Sequence, residues 1–490
     1  MTKDERKFYT RTLKTSAMLA LLILSCKFTF GLTGILLAAF GFWAAMQNKL
    51  GYAISCYLIF PFLVVANPAL VPKGGLMALV LRLGPMMITA ALILSGTRRA
   101  GSHVIPLGGM TLYMLVAIIS SVGGYAPIIS FLKIINFLIL LFGLWLGFKN
   151  IDGRLEEVIR AREMLLALSV IIIGGSVVLL AFPNIGYVNT ARQIIRDNPG
   201  ITPEEVAYLV QQYSGTRLFG GVTDQSQCLA ILAPTTIAWV ACDMLFVERK
   251  LNKLHLALIL GGLPLTYLTR SRSSLFSTFV AMTVIYFFAV NRAAISPQVK
   301  SACRRGMTGF LMVVVIVGTC LEINDHTFTR WLRKTNNVEG DQRTFGEALS
   351  TSRSGLVAES MRDFRENPLL GKGFQVSYGM QFRSRQFVLS APIEKGVLPV
   401  MVLGETGVLG IVAFLVFLAT FYGACFRKKY VVTATLFTII LAANMGEANF
   451  FSPGGPGGIL WTICVGGGFL IDTIVLVRRR RERHWVGFRS

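Results

Sequence analysis

Apolar runs near twenty residues recur along the whole chain, separated by short polar or basic connections. They fall at about 17–31, 32–46, 50–66, 77–96, 104–121, 127–148, 164–183, 226–247, 256–269, 274–291, 307–321, 397–425, 430–448 and 459–477. A helix of about twenty apolar residues crosses a hydrocarbon core of roughly 30 Å. The pattern therefore predicts an all-α, polytopic integral membrane helical bundle of about 12–14 transmembrane helices. The count stays open because 17–46 reads as a hairpin or as one long helix, and 256–269 is short.

Two polar stretches interrupt the series and set the expected organisation. Residues 1–183 form N-terminal transmembrane helices, 184–225 a first extracytoplasmic loop, and 226–321 further transmembrane helices. Residues 322–396 form one large extracytoplasmic loop, and 397–490 the last helices with a basic cytoplasmic tail. Within the first loop, Thr202-Pro-Glu-Glu205 has the cap, proline and acids of a helix start over 202–213. In the large loop, 354–366 puts Val357, Met361 and Phe364 on one face, with Glu359, Arg362, Asp363 and Arg365 elsewhere. That predicts an amphipathic helix. Pro368 disfavours helical geometry at Asn367 and ends it. Ser452-Pro-Gly-Gly-Pro-Gly-Gly458 reads as a tight outer turn.

Charge orients these elements. The 490 residues are 53% hydrophobic and 15% charged, yet the net charge is +23. A nucleic-acid partner is not implied, because Lys and Arg collect in the cytoplasmic loops of membrane proteins. With the N-terminus in the cytoplasm, Arg98-Arg99, Lys149 to Arg162, Arg249-Lys250, Arg292 to Arg305, Arg427 to Lys429 and the Arg478 run all fall inside. The same threading sends 184–225 and 322–396 outside and leaves both termini cytoplasmic. Merging 17–46 into one span breaks this agreement, which favours the hairpin. The basic ends suit an anionic inner leaflet. The first apolar run reads as an uncleaved helix rather than a signal peptide. Eight scattered cysteines without CxxC indicate no disulfide framework or zinc site.

Candidate chemistry gathers on the outer side. The large loop carries eleven Lys and Arg between Arg330 and Lys395. Arg270 and Arg272, in Thr269-Arg-Ser-Arg-Ser-Ser274, sit at the tip of a helical hairpin with no acid nearby in sequence. Guanidinium groups match phosphate oxygens in two-point contact, so a diphosphate just outside the bilayer fits them; snorkelling to headgroups is the plainer alternative. Arg217 enters the next span and Arg353 opens the amphipathic helix; each serves equally as an interfacial anchor. Glu394, beside Lys395 where the loop re-enters the membrane, suits a general base or a surface ion pair. Glu405 lies further in, as a partner for an arginine. Lys27 and Lys133 are the clear intramembrane charges, without an obvious acidic partner. Of four histidines only His326 falls outside, with no metal-ligand spacing around it, and no phosphate-binding glycine loop occurs, so neither a metal nor another cofactor is expected.

Between about Arg217 and Trp461 the chain resembles the O-antigen ligase and O-antigen polymerase superfamily of bacterial inner-membrane glycosyltransferases. The resemblance rests on Arg217-Leu-Phe-Gly-Gly221, Ser271-Arg-Ser-Ser-Leu275, Ser352-Arg353, Asn367-Pro-Leu-Leu-Gly-Lys-Gly373 and Leu403-Gly-Glu-Thr-Gly-Val-Leu-Gly410, in that order. It implies a polyprenyl-diphosphate-linked oligosaccharide as donor, with Arg217, Arg272, Arg270 and Arg353 as diphosphate ligands and no metal. Ligases of this kind place a histidine shortly before the GlyGluThrGly-like stretch; here Ile393-Glu394-Lys395 stands there. That favours a polymerase making a surface or exopolysaccharide, with Glu394 activating the acceptor and other polysaccharide-assembly proteins as partners. The alternatives are a ligase handing polymer to a lipid or protein, a bicarbonate or saccharide transporter, and a scaffold.

Overall fold

The computed structural model describes residues 3–29, 31–63, 75–97, 104–148, 155–189, 217–223, 226–269, 271–325, 345–376, 397–445, 449–453 and 456–487. In chain order the helices are α1 (Lys3–Phe28), α2 (Leu32–Met46), α3 (Leu50–Pro61), α4 (Gly75–Thr97), α5 (Met110–Val122), α6 (Pro127–Phe142) and α7 (Leu155–Ser169). There follow α8 (Ser226–Asp243), α9 (Lys253–Leu268), α10 (Arg272–Val284), α11 (Pro297–Asp325), α12 (Phe345–Glu366), α13 (Leu398–Lys428) and α14 (Val431–Asn444). The last are α15 (Pro456–Leu460) and α16 (Gly467–Gly487), joined by a π turn. Every apolar run read from the sequence overlaps one of these helices. The 17–46 stretch is two helices, divided at Gly31, whose φ of 92° suits glycine alone.

Six helical stretches among the described residues are long and apolar enough to cross a membrane: Pro127–Gly147, Leu155–Leu179, Ser226–Glu248, Ser273–Arg292, Leu398–Lys428 and Gly457–Arg480. The protein is a helical membrane protein. The Ser226–Glu248 span is buried all round and forms the centre of the bundle, as an evenly apolar helix should. The Leu398–Lys428 span instead leaves Leu409, Val412, Leu415 and Val416 exposed, a face for lipid. Strands are confined among the described residues to a short antiparallel pair, β1 (Tyr187–Asn189) and β2 (Arg217–Phe219).

Connections of three or four residues force antiparallel neighbours, and they sort the chain into two ends. The α8–α9 connection follows Arg249, so β2 and the start of α10 lie at the other end. Arg292, closing the α10 run, stacks on Phe288 and reaches Phe426 near the end of α13. The starts of α10 and α13 therefore share one end. That end also carries α12 and the segment 367–376, and is called the loop end below.

One connection expected from the sequence is shorter than predicted. Arg162 was read within a basic inner loop running from Lys149. It lies inside α7 and is 7% exposed, because it is paired there with buried carboxylates.

Candidate functional site

The loop end is organised around an interruption in α13. Gly407, at φ 64° and ψ −160°, breaks the helix and frees backbone groups on both sides. The segment after α12 satisfies them. Lys372 N donates to Gly404 O and Gly373 N to Glu405 O, both at 3.0 Å. Val408 N donates to Pro368 O at 2.8 Å and Leu409 N to Leu369 O at 3.3 Å. The two sequence stretches that carry the family resemblance, Asn367 to Gly373 and Leu403 to Gly410, are thus one hydrogen-bonded unit. Glycine is required in it: a Cβ on Gly407 would lie 2.3 Å from Leu369 C, and one on Gly371 would lie 2.4 Å from Glu405 C.

From this unit the chain dips between helices. Ser120 Oγ donates to Glu405 O, Ser121 Oγ accepts from Phe374 N, and Ser130 Oγ donates to Phe374 O. Lys133 Nζ donates to Gln375 O at 3.2 Å, and Gln375 Nε2 donates to Ser452 Oγ at 3.2 Å. Non-helical backbone at membrane depth survives only when protein satisfies it, and these side chains do so. Phe374 is fully buried and meets the rings of Tyr113 and Phe451, which anchors the segment in the aromatic core. Lys133 and Glu405 are both buried, 4% and 0% exposed. The Glu405 carboxylate lies within electrostatic reach of the Tyr113 hydroxyl.

The amphipathic helix expected over 354–366 is the C-terminal part of α12, and it ends at Glu366 as expected from Pro368. Its buried face differs from the expected one. Ser360 and Asp363 are buried, 2% and 1% exposed, whereas Val357, Met361 and Phe364 are only partly covered. Backbone contact explains Ser360, since Gly404 packs directly on it. Asp363 is drawn in by the Tyr125 hydroxyl, which donates to its Oδ1 at 2.7 Å from the α5–α6 turn. Burial first, then that hydrogen bond, pushes the Tyr125 phenol above its ordinary value. Neither Asp363 nor Tyr125 was singled out by the sequence, because their meeting crosses 238 positions.

The five expected site residues divide as follows. Arg217 is the first residue of β2, Arg272 the first of α10, and Arg353 lies within α12, so all three backbones are at the loop end. Arg270 and Glu394 lie outside the described residues, as do the helix expected over 202–213 and His326. No group of His, Cys, Asp and Glu with metal-binding geometry occurs among the described residues.

A second polar cluster sits at the opposite end. Arg162 Nε and Nη2 grip Asp243 Oδ1 and Oδ2, each at 2.7 Å, and Nη2 also donates to Glu248. His255 Nε2 meets Asp243 Oδ2 at 2.8 Å, and Arg478 donates to Val247 O at 2.6 Å. The cluster ties α7, α8, α9 and α16 together. It went unread because i to i+81 pairing leaves no local pattern. Compared with known proteins, the chain matches no family model and no curated sequence.

Proposed function

We propose that this protein is a membrane glycosyltransferase. It joins polyprenyl-diphosphate-linked saccharide units into a surface or exopolysaccharide on the outer face of the bacterial cytoplasmic membrane. The observation that carries the reading is the single hydrogen-bonded unit made by Asn367–Gly373 and Leu403–Gly410 at the end where Arg217 and Arg272 start their elements and Arg353 lies within α12. In the proposed topology this is the outer end, both termini are cytoplasmic, 12–14 spans cross the bilayer, and 322–396 is the large outer loop.

The chemistry follows from those groups. Arg217, Arg270, Arg272 and Arg353 hold the diphosphate and neutralise it as it leaves. The acceptor hydroxyl attacks the anomeric carbon, the bond from that carbon to the diphosphate oxygen breaks, and Glu394 takes the hydroxyl proton. The anomeric centre inverts, and no metal is needed. Purified protein incubated with a defined polyprenyl-diphosphate oligosaccharide should yield a ladder of longer lipid-linked products. Glu394→Gln should abolish the ladder with expression unchanged, and Arg272→Ala should weaken donor use by on the order of 100-fold or more. Absence of elongation by the intact protein, or labelling of Arg272 or Arg353 from the cytoplasmic side, defeats the assignment.

A ligase reading keeps the same donor and changes the acceptor, so addition of candidate lipid acceptors to the same assay separates it. A transport reading draws on Lys133 and Glu405, ionisable groups buried inside the bundle. Uptake of labelled bicarbonate or saccharide into proteoliposomes, without elongation, would favour it.

A further inference from the structure

The last turn of α12 and the turn after it place two carboxylates and two cations around the α5–α6 connection. Asp363 is 1% exposed; its Oδ1 accepts from Tyr125, and its Oδ2 is buried with no donor among the described residues. One turn on, Glu366 is half exposed and pairs with Lys372 at 3.0 Å, and more loosely with Arg362 at 3.9 Å. The Lys372 ammonium lies over the Tyr125 ring, 5.5 Å from its centre. Backbone fixes the frame, since Tyr125 N donates to Lys372 O at 3.0 Å.

Buried polar atoms in folded proteins are almost always hydrogen-bonded, so an open carboxylate oxygen calls for a donor. The four charges of Asp363, Glu366, Lys372 and Arg362 cancel, which disfavours a phosphate and suits a neutral, polyhydroxylated ligand. We propose that Asp363, Glu366 and Lys372 form a saccharide subsite for the acceptor. One sugar hydroxyl donates to Asp363 Oδ2, and neighbouring hydroxyls bridge the Glu366 carboxylate and the Lys372 ammonium. The Lys372 head, paired with Glu366 and lying over the Tyr125 ring, can swing aside on its flexible four-carbon stem. Tyr125 holds the Asp363 carboxylate in place through Oδ1. The subsite rests on the reading of the loop end as the saccharide-handling face.

Saturation-transfer NMR on the detergent-solubilised full chain tests it, with glucose, galactose, mannose and N-acetylglucosamine as probes and methyl phosphate as the phosphate control. At least one sugar should bind, and Asp363→Asn should weaken it by about tenfold or more. Asparagine keeps the shape and still accepts from Tyr125, so a merely structural Asp363 would leave binding unchanged. Glu366→Gln, at a half-exposed position, should weaken the same sugar without affecting folding. The subsite is overturned if no sugar binds the wild type, if Asp363→Asn binds normally, or if only phosphate binds. Sugar binding that depends on Asp363 without any elongation would instead remove the glycosyltransferase and leave the subsite standing.

Discussion

The two ends of the bundle solve one problem in different ways. At the loop end the hard groups are backbone amides and carbonyls, freed where α13 breaks at Gly407 and where 367–376 leaves helical geometry. Backbone atoms of the other segment and small hydroxyls from Ser120, Ser121 and Ser130 satisfy them. At the opposite end the hard groups are charges, with Arg162 held by Asp243 and Glu248, and His255 added. The first arrangement depends on shape at close range, the second on charge balance in a medium that screens poorly. A frame of backbone bonds fixes the segment after α12 against the broken α13.

The largest expected effect tests the shape-dependent end. Gly371→Val forces a branched side chain into a φ of 67° and against Glu405 backbone. It should destabilise by about 4 kcal/mol or more, read as loss of monodisperse protein on size exclusion. Serine-to-alanine changes at Ser130 should cost far less, about 1 kcal/mol.

The charge-dependent end should behave oppositely. Asp243→Leu alone strands Arg162 and should cost about 3–5 kcal/mol, while the Arg162→Leu, Asp243→Leu double variant should recover part of that loss. A thermal-stability cycle in detergent measures the coupling, and simple additivity would show that the cluster is not a unit. Lys133 lies between the two styles, a buried charge that donates to the Gln375 carbonyl at the loop end. Lys133→Met should cost about 1–3 kcal/mol and loosen 374–376, measurable as faster proteolysis there.

The smallest effect is on pH dependence. Because the folded protein holds the Tyr125 phenol above its ordinary value, the protonated phenol contributes stability below the usual tyrosine range near pH ~10. That contribution is lost as pH rises through the raised value. Tyr125→Phe should therefore lower the melting temperature at neutral pH and show a shallower further fall above pH ~10 than the wild type.

How much of this was legible depended on distance along the chain. Each helix came from its own apolar run, the end of α12 from Pro368, and the split at Gly31 from the basic loops downstream. The candidate site was legible in part: the Asn367–Gly373 and Leu403–Gly410 stretches stood out, but their mutual hydrogen bonding did not. Asp363 was read with the polar face of α12 because amphipathicity counts side-chain types and cannot register a tyrosine arriving from residue 125.

By itself the sequence determined a multi-helix membrane protein and the segments that cross or border the apolar phase, since burying some twenty residues in hydrocarbon is a local, additive demand. Only the tertiary structure decided which polar groups are paired in the interior. The break at Gly407, the Arg162–Asp243 pair and the burial of Asp363 each require a partner from another segment of the chain, and hydrogen bonds and ion pairs form only where packing brings both partners within about 3 Å.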